Sequence, residues 1–262
     1  MLDKGLEGLA RDLAKAWTDG GTVPLPPAGQ GARSRAEAYA VQDRMAELIG
    51  GTVAGWKVGA TVRAVQVFEG HDGPLPGRVF ADRVLEGGGS VDARLFPGAK
   101  VECEFAFRLR AGLPPGNGPV SAEELAPLVD FHPAIELASI RYAPGTGNRG
   151  VTTFDAIADN GGAGAAVLGA AVPGWRDLDL TTMEIDARID GSPPIQAYTG
   201  PYRRPPIEIA AEAFTEFRRR GCKIEPRTFV LTGSSTLPTP FRRGQRLVVR
   251  FAGYPAMTLA ME

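Results

Sequence analysis

The segment Val101-Glu102-Cys103-Glu104-Phe105-Ala106-Phe107 places two carboxylates two residues apart in a run of otherwise apolar residues. In a strand, alternate side chains share a face, so Glu102 and Glu104 project to one side. Like charges so placed repel unless something neutralises them. A third acid, Glu136, interrupts the apolar run Pro133-Ala134-Ile135-Glu136-Leu137-Ala138, where an unpaired carboxylate is costly. Three carboxylates suit a hard cation with oxygen ligands, Mg²⁺ or Mn²⁺ rather than Zn²⁺. The competing reading of Glu102 and Glu104 is a solvated strand face paired with Arg108 or Lys100.

Lys57 is the other group with chemical reach. It sits in Gly55-Trp56-Lys57-Val58-Gly59, an apolar and tightly turned setting where a buried ammonium requires an anionic partner or a lowered pKa. A strand-end lysine reaching solvent is the alternative.

The elements that must position these residues follow from periodicity and punctuation. Leu2, Leu6, Leu9, Leu13 and Trp17 recur at helical spacing, and Ser34 with Glu37 forms a capping-box pattern for a second helix to about Ile49. Residues 1–50 therefore read as a helical N-terminal segment and 51–262 as a mixed β catalytic domain, together one compact unit. From Val53 onward short apolar runs are broken by Gly and Pro, giving candidate strands at 53–59, 78–86, 100–110, 132–142, 163–172, 178–190, 228–234 and 245–261. Helices are expected at 121–130, capped by Ser121, and at 206–221, ending in basic residues and Gly221. Helices gather early and strands dominate later, the pattern of an α+β fold with a mixed, mostly antiparallel, barrel-like sheet.

Composition narrows the function classes. The 262 residues carry a formal net charge of −1, so no basic face for nucleic acid is implied. The 2 cysteines cannot build a disulfide framework, which fits a cytoplasmic protein. The N-terminus carries charge throughout and reads as neither a secretory signal nor a membrane span.

Six blocks taken in order, GWKVG (55–59), VECEFAF (101–107), PAIELASIR (133–141), FDAIADN (154–160), VLG (167–169) and VLTGS (230–234), resemble the fumarylacetoacetate hydrolase superfamily. They are most similar to its branch of 2-keto-4-pentenoate hydratases and 4-oxalocrotonate decarboxylases. The resemblance runs from about residue 35 to the C-terminus. It implies a β-barrel-like fold, a Mg²⁺ or Mn²⁺ ion on Glu102, Glu104 and Glu136, and Lys57 as active-site lysine. It also implies a small 2-oxo acid substrate from aromatic degradation, a homo-oligomer, and an association with another enzyme of the same pathway. Asp159 and Asn160 fall on the family's Asp-Asn pair, with a plain loop turn as the competing reading, and Gln66 on a substrate-reaching Gln that could equally be a helix-surface residue.

The pattern departs in places. The family's turn Asp, which works with the lysine in proton transfer, is Leu75 here, and a family Ser is Gly162. Asp82 is the best-placed replacement acid, with an ion pair to Arg78 or Arg83 as the alternative; His71 and Asp72 lie nearby. The stretch TGPYRRPP (199–206) replaces a more apolar one and adds Arg203 and Arg204, which could recognise a second carboxylate. The expected activity is a metal-dependent hydratase of a 2-hydroxypentadienoate-like 2-oxo acid. Decarboxylation of the 4-oxalocrotonate type, C–C hydrolysis of an acylpyruvate, and metal binding without turnover are the alternatives.

Overall fold

A computed structural model describes residues 2–70, 73–114, 116, 118–147 and 149–262; His71 and Asp72 lie outside the described residues. Helix α1 (Lys4–Asp19) starts at Asp3, whose side chain accepts the N–H of Leu6, and α2 (Arg35–Ile49) starts at Ser34, which accepts the N–H of Glu37. Only half of the expected capping box forms at α2: Glu37 turns back to the N–H of Arg33 instead of Ser34. The two helices pack their apolar faces together and onto Phe80, Tyr142 and Ala158.

Strand β1 (Val53–Gly59) follows, then α3 (Arg63–Glu69), β2 (Leu75–Phe80), β3 (Val84–Glu86), β4 (Gly88–Val91) and β5 (Lys100–Leu109). Beyond them lie α4 (Ala122–Leu125), β6 (Val129–Ala138), α5 (Thr153–Ala158), β7 (Ala165–Leu168), β8 (Ile185–Ile189) and α6 (Pro206–Arg219). The chain ends with β9 (Phe229–Leu231), β10 (Thr239–Pro240), β11 (Arg246–Phe251) and β12 (Met257–Met261). The larger sheet runs β2-β1-β9-β5-β6-β7-β3, with β10 also on β5; the smaller runs β4-β12-β11-β8. Pairs β1/β9, β3/β7 and β4/β12 are parallel and the rest antiparallel, so the sheets are mixed and mostly antiparallel, as expected. Although far apart in the strand order, β2 and β7 touch, so the large sheet curls.

Several runs read as single elements are divided. Residues 78–86 form the end of β2, a 3-10 turn at Ala81–Arg83, and β3; residues 245–261 form the β11/β12 hairpin. The helix expected over 121–130 ends at Leu125, continues as a 3-10 turn containing Pro127, and gives way to β6 at Val129. Among the described residues no helix is long and apolar enough to cross a membrane.

One close approach fixes the sheet against the turn after α5. A Cβ added to Gly77 in β2 would lie 2.0 Å from the backbone oxygen of Asn160. Neither backbone can yield cheaply, so Gly77→Ala is expected to destabilise the fold by about 1–3 kcal/mol. Urea unfolding should show a lower midpoint at unchanged slope; an unaltered midpoint would contradict this packing.

Candidate metal centre and active site

Strand register brings the acids together. Glu102 on β5 lies directly opposite Glu136 on β6, and Glu104 lies opposite Ala134. Alternation puts Ala106 and Ala134 on the carboxylate face, and Ala166 of β7 opposite Glu136. These small side chains leave room for the cluster. Cys103 points the other way into the main core, where burial pushes its thiol up to about 12, so it is neither ligand nor nucleophile. The three glutamates each offer an oxygen within 4.8 Å of the others.

Electrostatics make this arrangement unstable alone. Glu104 is 0% exposed and Glu136 is 1% exposed. Burial first, then the neighbouring Glu136, push Glu102 up to about 7, against the opposing pull of Lys57 and the Ser234 hydroxyl. Glu104 is raised well above the usual carboxylate range, by burial and then by Glu136 and Glu102. Among the described residues, Glu104 Oε1 and both oxygens of Glu136 have no hydrogen-bond partner.

The compensation is partial. Lys57 Nζ lies 3.2 Å from Glu136 Oε1, an ion pair without hydrogen-bond alignment, and donates to the Gly161 carbonyl at 3.1 Å. Burial pulls the Lys57 pKa down, but Glu136, Glu102 and Glu104 together outweigh it and the net shift is upward. Gly233 N–H donates to Glu104 Oε2 at 2.8 Å. One ammonium against three ionised carboxylates leaves two negative charges uncompensated, which matches a divalent cation. Oxygens sharing one hard cation lie about 3–5 Å apart, for metal–oxygen bonds of about 2.0–2.6 Å. The all-oxygen donor set, the unpartnered oxygens and their spacing therefore fit Mg²⁺ on Glu102, Glu104 and Glu136.

The lysine's carbonyl partner is itself held. Arg141, fully buried, donates from its backbone N–H and Nε to the two oxygens of Asp159, each at 2.6 Å, and from Nη2 to the Asp159 and Ala163 carbonyls. Asn160 exchanges two hydrogen bonds with the backbone of Arg78, at 2.7 and 2.9 Å. Between these anchors Gly161, at φ 66°, presents its oxygen to Lys57.

Lys57 thus joins the glutamates, while other expected residues do not. Asp82 is a correction: its side chain is 71% exposed and lies 3.8 Å from Arg83. It follows Phe80, which pairs with Val53, so it sits past the end of β1 opposite Lys57, at least about 13 Å away along the strand. Gln66 does not reach the carboxylates; its amide donates to the Ala60 carbonyl at 2.9 Å and closes its own loop. Asp159 and Asn160 do not present free groups to a substrate either, because their polar atoms are spent on Arg141 and Arg78. They position Gly161. Leu75 lies in β2 opposite Gly59, and Gly162, at φ 70°, packs on Ile140. Gly233 and Ser234 were missed as site residues, although VLTGS (230–234) was among the blocks of resemblance; a backbone N–H donor leaves no side-chain signal.

Two outcomes test the cluster. Glu104→Gln should weaken Mg²⁺ binding about 100-fold in calorimetry, at or above the loss typical of outer ligand supports. Glu102 carries a folded pKa near 7 against an ordinary 4.5, so its folded form holds the extra proton between them. Stability of the metal-free protein should therefore fall as pH rises from about 4.5 through 7, and saturating Mg²⁺ should flatten that fall. Thermal unfolding in chelator and in Mg²⁺ across that window measures it, and a metal-free protein that gains stability there would contradict the assignment.

No sequence-family profile matches the chain. Curated relatives do. A TodF product hydratase from Pseudomonas putida (strain F1) is 29% identical over 258 residues, 96% of this chain and 93% of the relative. A 4-oxalocrotonate decarboxylase from Pseudomonas sp. (strain CF600) is 27% identical over 83% of this chain and 82% of its own length. A 2-keto-4-pentenoate hydratase from Burkholderia vietnamiensis is 28% identical over 88% of each. Among solved structures, a 4-oxalocrotonate decarboxylase from Pseudomonas putida G7, complexed with magnesium and adipate, superposes with a TM-score of 0.83 at 21% identity, covering 100% of this chain and 99% of that one. A protein from Yersinia pestis CO92 assigned to the fumarylacetoacetate hydrolase family shares the fold at a TM-score of 0.54 and 14% identity, over 79% of this chain and 92% of that one. Over most of its length the chain is thus similar to 2-keto-4-pentenoate hydratases and 4-oxalocrotonate decarboxylases, which supports that branch, and it shares the fold of a solved 4-oxalocrotonate decarboxylase.

Proposed function

We propose that this chain is a Mg²⁺-dependent lyase acting on an unsaturated 2-oxo acid, hydrating a 2-hydroxypentadienoate-like compound. The observation that carries this reading is the buried glutamate trio with unpartnered oxygens beside an ion-paired lysine. The hydratase relative matching 96% of the chain supports hydration.

When bound, the cation would draw the 2-oxo and carboxylate oxygens of the substrate and stabilise the negative charge that develops there. The chain's own residues do the rest. Gly161 O and Glu136 orient the Lys57 ammonium, which places positive charge and a transferable proton beside the cluster. The alanine-lined face excludes water around the carboxylates and strengthens these interactions.

Decarboxylation of the 4-oxalocrotonate type is the second reading, favoured by one observation. Leu75 replaces the family's turn acid, and Asp82 is too distant to substitute for it. Loss of carbon dioxide needs an electron sink and a single proton, whereas hydration needs more proton machinery. A homo-oligomeric, cytoplasmic protein is part of the proposal.

Purified protein with Mg²⁺ should convert a 2-hydroxydienoate by adding water, or 4-oxalocrotonate with release of carbon dioxide. Chain cleavage of acylpyruvates would replace this reading with hydrolysis, and inactivity on every substrate with metal bound would replace it with binding alone. Lys57→Met should lower kcat about 10²–10⁴-fold while Mg²⁺ still binds, the range for loss of a proton-transfer group; unchanged kcat would remove Lys57 from the mechanism.

A further inference from the structure

Away from the carboxylates, α1, the end of α2, the turn after β2 and the β3–β4 stretch together line a cavity of about 410 Å³. A small organic molecule needs about 300–1,000 Å³. The wall is apolar over Trp17, Ile49, Leu85, Val91, Leu95 and Phe96, and Arg83 is set among them. Ile49, Leu85, Val91 and Leu95 pack on the core clusters yet stay only partly buried.

Arg83 is the unusual member of this wall. Its side chain is 8% exposed, and its guanidinium lies over two rings, 5.0 Å from the Trp17 centroid and 4.8 Å from that of Phe96. Stacking of this kind covers the faces of the group and leaves its in-plane N–H edge for an acceptor. Five N–H donors are present on a guanidinium. Among the described residues Arg83 uses one hydrogen bond, from Nη2 to the Trp17 carbonyl at 2.8 Å. Its one ion-pair partner there is Asp82, 3.8 Å from Nε and so beyond hydrogen-bond reach, with a side chain 71% exposed. Asp92, also on the wall, is taken by Arg94. A buried guanidinium so poorly matched is costly, and a carboxylate fits its planar fork of donors.

This cavity is separate from the metal centre. The Ala81–Arg83 turn follows Phe80, which pairs with Val53 at the start of β1, whereas Lys57 lies toward that strand's other end.

We propose that the cavity is a second ligand site, which takes a small monocarboxylic acid with an apolar or aromatic body. The carboxylate sits on the in-plane edge of Arg83, and the body lies against Ile49, Leu85, Leu95 and Phe96. The acid supplies the anion that Asp82 supplies only weakly, and its body covers the apolar wall. A carboxylate alone answers the guanidinium, so the ligand needs no 2-oxo group and the site is independent of the reading of the metal centre.

The test is calorimetry of the protein without divalent cations, using benzoate, benzamide and acetate. Leaving out the metal keeps the acids off the glutamates, whose negative charge repels them. Benzoate should bind about tenfold or more tightly than benzamide, the increment of a charged over a neutral hydrogen-bond partner. It should exceed acetate by about tenfold or more through burial of the ring. Arg83→Met should lower benzoate to the benzamide level. Asp82→Asn removes the rival anion from an exposed position and should tighten benzoate about two- to fivefold, the hold of an exposed ion pair. Absence of benzoate binding, benzoate no tighter than benzamide or acetate, a preference that survives Arg83→Met, or unchanged or weaker binding in Asp82→Asn would each overturn the proposal. Should Arg83→Met fail to fold, Asp82→Asn and the wild-type comparison decide.

Discussion

Three carboxylates confined to an alanine-lined patch of sheet repel one another, and their surroundings are organised around that repulsion. Strand alternation sets Glu102 and Glu104 side by side, and the β5/β6 register sets Glu136 across from them. Lys57 and the Gly233 N–H offset part of the charge, but oxygens of Glu104 and Glu136 stay without partners. Apolar replacements would pack the same space at lower cost, so the site sacrifices fold stability for cation affinity.

The lysine is only as well placed as the turn that holds it. Gly161 can offer its carbonyl because Arg141 fixes Asp159 on one side and Asn160 grips the backbone of Arg78 on the other. Arg141 in turn lies over the Trp17 ring at 4.7 Å, so α1 reaches the site through one cation–π contact. The helical N-terminal segment is thereby mechanically part of the centre. Gly77 completes the arrangement, since only a residue without Cβ lets β2 approach Asn160 so closely.

Arginine placement shows how burial separates chemically equal residues. Arg203 and Arg204 are adjacent in sequence, yet Arg204 is clamped to Glu212 and Arg203 is left with a buried Nε without an acceptor. Nothing in the dipeptide distinguishes them. The path of α6 and the turn before it does.

The sequence by itself determined the strand face that carries Glu102 and Glu104, the anomaly of Glu136 in an apolar run, the setting of Lys57 and the order of helices and strands. Those features are local: period-two alternation, capping residues and apolar runs act over a few neighbours. It could not decide what Asp82, Gln66, Asp159 and Asn160 do, because a polar side chain near a motif has several partners in reach. Tertiary structure gave Asp82 to Arg83 beyond the far end of β1, Gln66 to its own loop, and the Asp-Asn pair to Arg141 and Arg78. Only the folded chain could supply the Gly161 carbonyl and the Gly233 N–H, since backbone groups carry no residue-type signature and their direction is set by contacts between distant segments.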